Sequence, residues 1–219
     1  QRTRRLFDLD ADLQAVHQVL MGSDLLKKAI KRRPGLRVPG SRDGFELAVR
    51  AVLGQQISVA GATTLTRRLV EQYGEDRLMK RDNLDRAFPK PEVIANASLE
   101  KIGLPKSRAA TLRSMAQALI DGEISFQAGQ NMDAFVQKFT SLPGIGPWTA
   151  QYVAMRALRQ PDAFPAGDLI LQQVMGGDKR LSEKETEARS QAWRPWRAYS
   201  VLHLWHLSGD LAKEKKDVV

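Results

Sequence analysis

The string Leu142-Pro143-Gly144-Ile145-Gly146-Pro147 leaves the backbone few paths. Upstream, Phe135 and Phe139 stand four residues apart, as on one face of a helix. Pro143 must end that helix, because proline has no N–H to donate and its ring clashes with the preceding turn. Pro147 carries the fixed φ that suits the first position of a new helix. Gly144-Ile145-Gly146 then makes a tight turn that reaches positive φ without a Cβ clash. The prediction is a pair of helices joined by a hairpin within residues 142–152. The first amides of the second helix have no partner inside it and point outward, an arrangement that suits a phosphate. The last carbonyls of the first helix are equally unpaired and suit a small monovalent cation. An ordinary helix corner with two glycines fits the G-x-G step as well; the fuller string and the basic chain favour nucleic acid. Contacts of this kind go to the backbone and carry no base sequence.

Charge supports the same partner. The 219 residues hold 34 Lys and Arg against 25 Asp and Glu, a net +9. Such an excess suits a polyanion, whose phosphates bind with counterion release, although an anionic membrane surface attracts it too. Lys27, Lys28, Lys31, Arg32, Arg33, Arg37 and Arg42 crowd one stretch, for which a solvated helix face is the plainer reading. With no cysteine there is no disulfide, no iron–sulfur cluster and no thiolate zinc site. His203 and His206 share a helix face, but no third ligand accompanies them. No segment has the length and apolarity of a membrane span. Residue 1 is Gln, so a processed chain or a piece of a longer one is expected.

Helical signals recur from end to end. Asp43 with Glu46 reads as a capping box before Phe45, Ala48, Val49, Val52 and Leu53. Val59, Ala62, Leu65, Leu69 and Tyr73 form another apolar face that stops at Gly74. Ser107 is placed to cap a helix closed by Gly122, and Ser182 with Glu185 forms a second capping box. Pro195 is placed in the first turn of a helix bearing Ala198, Leu202 and Trp205. Clean period-2 alternation between turn signals is absent, so no hairpin of strands is expected. The predicted class is all-α, with roughly ten short helices.

Twenty-two positions after Gly146 comes Asp168, in Gly167-Asp168-Leu169-Ile170-Leu171. An N-cap accounts for it completely. A helix N-terminus also favours the ionised carboxylate, the form that stabilises a neighbouring positive charge. Breaking a nucleoside C1′–N bond creates such a charge, because the sugar becomes oxocarbenium-like. The aromatics cluster late: Trp148, Tyr152, Trp193, Trp196, Tyr199 and Trp205. Core packing explains any one of them, but Trp148 and Tyr152 share a face beside the hairpin, where a flipped base could stack.

These residues together resemble a known family. Leu142–Tyr152 followed by Asp168 is similar to the helix–hairpin–helix, Gly/Pro-rich, Asp (HhH-GPD) superfamily of DNA glycosylases. Residues 5–13, 33–40, 51–60 and 193–205 resemble its bacterial 3-methyladenine DNA glycosylase II branch. The resemblance implies a two-lobed helical fold with the active-site cleft between the lobes. Residues about 43–160 would form one lobe, and about 18–42 with 161–212 the other. The N-terminal β-rich lobe of relatives is expected to be absent. It further implies a monofunctional enzyme of base-excision repair that hydrolyses the N-glycosidic bond of 3-methyladenine and 7-methylguanine in duplex DNA. Asp168 falls on the catalytic aspartate, and Trp148, Tyr152 and Trp205 on the base pocket. Gly144, Ile145, Gly146 and Thr149 would grip DNA, while Gln56 stands where relatives place a wedge. Carbonyls of Thr140, Leu142 and Ile145 would surround a structural Na+ or K+; catalysis would need no cofactor. Relatives that also nick the strand carry lysine where this chain has Trp148, and Leu169 replaces an aromatic beside the aspartate. A cytoplasmic, nucleoid-associated monomer is implied. The alternative is a non-catalytic helix–hairpin–helix DNA-binding domain of a longer alkylation-response protein.

Overall fold

A computed structural model describes residues 1–76, 85–127 and 129–216. Among the described residues there are twelve α-helices in two compact units, residues 1–42 with 154–219 and residues 43–153. In chain order the helices are α1 (Arg2–Leu6), α2 (Leu13–Leu20), α3 (Asp24–Arg32), α4 (Gly44–Leu53), α5 (Val59–Tyr73), α6 (Pro91–Asn96), α7 (Lys106–Ile120), α8 (Met132–Thr140), α9 (Pro147–Arg156), α10 (Leu169–Gly176), α11 (Glu183–Ser190) and α12 (Arg197–Lys216). None is long and apolar enough to cross a membrane.

In the first unit, α12 packs on α10 and α3. Val16, Leu20, Leu26, Ile30, Leu171, Val201 and Leu204 are all at most 1% exposed there. Each buried side chain of this size contributes about 1.5–3 kcal/mol against exposure. Local chemistry sets the helix ends. The Asp12 carboxylate accepts from the Gln14 and Ala15 amides at the start of α2. Ser182 and Glu185 form the expected capping box on α11, each bonding the other's backbone N–H. Pro195 differs from its expected place. It follows a cis peptide bond and lies two residues ahead of α12, which begins at Arg197. Arg197 itself is 3% exposed. Its guanidinium donates to both Asp162 oxygens at 2.9 and 3.1 Å and to Glu187 at 2.7 Å. The Ala198 amide donates to the Pro161 carbonyl, so the start of α12 fixes the segment that leads to Asp168.

His203 lies 1% exposed in the same unit, and neither ring nitrogen has a hydrogen-bond partner. Burial, with the nearby His17, His206 and Arg33, pushes its pKa down to about 4. In the unfolded chain it titrates near 6.5, so below that pH the unfolded state binds the proton first. The stability that neutral His203 provides is therefore complete above about pH 6.5 and lost as the pH falls toward 4. Allowing for partial hydration, the loss should be about 2 kcal/mol. Urea unfolding at pH 7 and 4.5 checks this: the parent's midpoint should fall by more than that of His203→Leu. Equal falls would exclude His203 as the source.

In the second unit, α4 packs on α5 and α7, and α6 lies along α7. Val49, Val52, Leu53, Leu69, Ile94, Leu112 and Met115 form its fully buried centre. The Asp43 carboxylate accepts from the Glu46 amide as expected, but Glu46 itself holds Arg50 one turn on. The start of α7 falls at Lys106, after Pro105, so Ser107 lies inside the first turn and makes no cap. Its far end is closed by Gly122 at φ +73, with the Glu123 amide reaching back to the Ala118 carbonyl and the Gly122 amide to Leu119. Val59, assigned from its spacing to the apolar face of α5, is 85% exposed; Thr66 is buried in that helix beside Leu69. A short antiparallel pair of strands, β1 (Glu75–Asp76) and β2 (Arg86–Ala87), corrects the expectation of no strand hairpin. Two residues per strand cannot display a period of two, so no alternation marked it.

Candidate active site

Helix α8 ends at Thr140, and the chain turns through Pro143 into α9, whose first residue is Pro147. The corner is closed by the Ile145 amide donating to the Leu142 carbonyl at 3.1 Å. Ile145 is 5% exposed, so its side chain pins the turn to the core. Gly144 has φ +81, and a Cβ there would lie 2.1 Å from Thr111 Oγ1. Gly146 has neither constraint: a Cβ would meet nothing within 4 Å. Only Gly144 of the two is demanded by the fold. The Thr149 hydroxyl is turned inward, 2% exposed, where it accepts from Gln55 Nε2 at 3.0 Å.

The turn between α4 and α5 stands against this corner. Gln56 is exposed with φ +57, a left-handed conformation uncommon for a residue with a Cβ. Ile57 and Val59 beside it are also exposed. Gln55 was not singled out from the sequence, nor were Arg108 and Thr111. All three act through contacts 33 or more residues distant, which no local pattern records.

Trp148 and Tyr152, one helical turn apart on α9, stack face to face with centroids 5.3 Å apart and planes inclined by 5°. Both are half-buried. They belong to the second unit.

In the first unit, Asp168 caps α10. Its Oδ1 accepts from the Ile170 and Leu171 amides, each at 3.0 Å, and from the Trp205 indole at 3.2 Å. The first two bonds were expected of an N-cap; the third comes from α12, 37 residues away. Trp205 thus has a polar tie to the aspartate as well as a half-buried ring. Asp168 is 9% exposed, next to Leu169 at 63% and Ile170 at 45%. A carboxylate fixed by three donors at the positive end of a helix is an oriented negative charge, suited to a cation that develops beside it.

The carbonyls of Thr140 and Ile145 accept no hydrogen bond among the described residues, and Leu142 accepts one. Oxygen donors of this kind fit a hard monovalent cation. No cluster of three or more His, Cys, Asp or Glu suited to a metal occurs among the described residues.

Comparison with known proteins agrees with this architecture. A probable bifunctional transcriptional activator/DNA repair enzyme AlkA of Mycobacterium tuberculosis is 38% identical over 208 residues, 93% of this chain but 41% of that protein. The chain therefore spans less than half of that relative. DNA-3-methyladenine glycosylase 2 of Escherichia coli is 35% identical over 212 residues, 94% of this chain and 70% of that one. The structure of an 8-oxoguanine glycosylase/lyase from Clostridium acetobutylicum superposes with a TM-score of 0.79 at 18% identity, over 93% of this chain and 73% of that one, a likeness of fold alone. Residues 1–43 match an AlkA N-terminal domain; in this chain they are helical, with no strand. Residues 49–198, which carry the hairpin, the stacked aromatics and the capped aspartate, match the HhH-GPD superfamily of base excision DNA repair proteins, and the chain belongs to that superfamily.

Proposed function

We propose that this chain is a monofunctional DNA glycosylase that releases alkylated purines, 3-methyladenine and 7-methylguanine among them, from duplex DNA. The observation that carries the reading is the Asp168 carboxylate, held by three N–H donors at the start of α10. As the C1′–N bond lengthens, its electron pair leaves with the base and positive charge grows on the sugar. Asp168 stabilises that charge, water adds to C1′, and its proton passes to solvent. N3- and N7-alkylated purines are already cationic, so the base departs neutral without a strong general acid. The electron-rich faces of Trp148, Tyr152 and Trp205 favour such a cation by about 0.5–2 kcal/mol per contact. Trp148 offers no amine, so no Schiff base forms and the product is an intact abasic site.

DNA is held by its backbone. Gly146 has no packing or positive φ to require it, and its bare backbone leaves room for a phosphate beside the first amides of α9. The carbonyls of Thr140, Leu142 and Ile145 would hold Na+ or K+, which would add positive charge beside the same phosphate. Gln56, exposed on its left-handed turn, fills the space of the everted purine and hydrogen-bonds the base left opposite. The likeness to a DNA-3-methyladenine glycosylase of Escherichia coli supports 3-methyladenine as a substrate.

Chromatography of duplexes containing 3-methyladenine or 7-methylguanine tests the proposal. Free base should appear, with strand breaks only after alkaline treatment of the product. Salt-sensitive DNA binding without base release would leave the non-catalytic binding domain as the reading.

A further inference from the structure

Gln55 is not part of any predicted contact with DNA, yet it joins three segments of the second unit. Its Nε2 donates to the Gly144 carbonyl at 3.2 Å and to Thr149 Oγ1 at 3.0 Å. The Gly144 carbonyl can only accept, so the carboxamide's orientation is fixed with its nitrogen toward the hairpin. The Gln55 main-chain carbonyl accepts from Arg108 Nη2 of α7 at 2.8 Å, and its amide donates to Val52 at the end of α4. Thr111 of α7 lies against Gly144. The hairpin, the start of α7 and the turn that carries Gln56 are thus cross-tied around one residue, with the side chain making the ties to the hairpin.

We infer that Gln55 is a positioning residue that couples the phosphate-gripping hairpin to the Gln56 turn, so that anchoring the strand also sets the wedge at the correct depth. The inference rests on the proposed roles of the hairpin and Gln56. Its physical basis is local: a residue with a Cβ holds φ +57 only where its surroundings fix it, and the residue immediately before Gln56 supplies that fixation. Without the carboxamide donor, the hairpin would still meet phosphate, but the turn would lose its register to it.

Two variants separate this from a general loss of structure. Gln55→Met keeps roughly the size, removes the donor and adds no charge; Thr149→Val removes one acceptor and leaves Gln55 in place. The probe is a duplex with a tetrahydrofuran abasic analogue opposite 2-aminopurine, whose fluorescence reports unstacking of the orphan base. Affinity for this duplex and for an undamaged one is measured by anisotropy alongside. Gln55→Met should bind the undamaged duplex within about 2-fold of the parent and give about a fifth of the parent's fluorescence rise; Thr149→Val should lie between. Single-turnover release of 7-methylguanine should fall about 10-fold for Gln55→Met on duplex and about 2-fold on the single strand, which has no orphan base to wedge. A full fluorescence rise in Gln55→Met, or equal losses on duplex and single strand, would overturn the inference while leaving the glycosylase reading intact. A parent chain that releases no base and unstacks no probe would remove both.

Discussion

Asp168→Asn is expected to lower single-turnover base release by about 10²–10³-fold, roughly 2.7–4 kcal/mol of transition-state stabilisation, with fold and DNA affinity nearly unchanged. The separation follows from what the side chain does in each role. As an N-cap, asparagine is as good as aspartate: its carbonyl oxygen can accept from the Ile170 and Leu171 amides and from the Trp205 indole in the same positions. What it lacks is the negative charge, which is what the expanding sugar cation needs. Asp168→Ala is the contrasting variant. It removes the cap as well, costs about 1 kcal/mol of stability, and leaves the Trp205 N–H without its acceptor. Single-turnover chromatography, urea unfolding and anisotropy on the same three proteins give the comparison. Release by Asp168→Asn within 3-fold of the parent would show that the carboxylate is a cap and nothing more.

The parts of this structure legible in the sequence are those governed by neighbours within one helical turn. Pro147 opens α9, Gly74 follows the last residue of α5, Ser182 and Glu185 cap α11, and Asp168 caps α10, each as its local chemistry dictates. Where two local rules compete, spacing alone picks the wrong one. Pro105 starts α7 before Ser107 can cap it, and Trp196 and Arg197, not Pro195, stand at the entrance to α12. Val59 shows a different limit: it follows the apolar period of α5, yet at the first position of that helix it stays 85% exposed. Tertiary placement was the least legible. The Trp205–Asp168 bond, the stack geometry of Trp148 on Tyr152, and the three ties of Gln55 all depend on how helices dock, for which residue spacing carries no record.

The hairpin glycines show how one motif divides its work between folding and binding. Gly144→Ala should destabilise the chain by about 2–4 kcal/mol, combining backbone strain with overpacking. At φ +81 a Cβ is strained, and this one would sit 2.1 Å from Thr111 Oγ1 and 3.2 Å from Thr111 Cβ, so α7 or the hairpin must move. Adding Thr111→Ala should restore part of that loss by removing the side-chain clash, and leave the strain of the positive φ behind. Gly146→Ala should behave oppositely. Its methyl meets nothing within 4 Å in the protein and φ there is not positive, so urea unfolding should shift by no more than about 0.5 kcal/mol. Affinity for undamaged duplex should nonetheless fall several-fold, because the methyl occupies the space through which a phosphate reaches the first amides of α9. The same measurement at rising salt should give a shallower slope for Gly146→Ala than for the parent, as fewer phosphates are engaged. Unchanged affinity in Gly146→Ala would mean that the phosphate lies elsewhere, and that the second glycine of the corner is incidental.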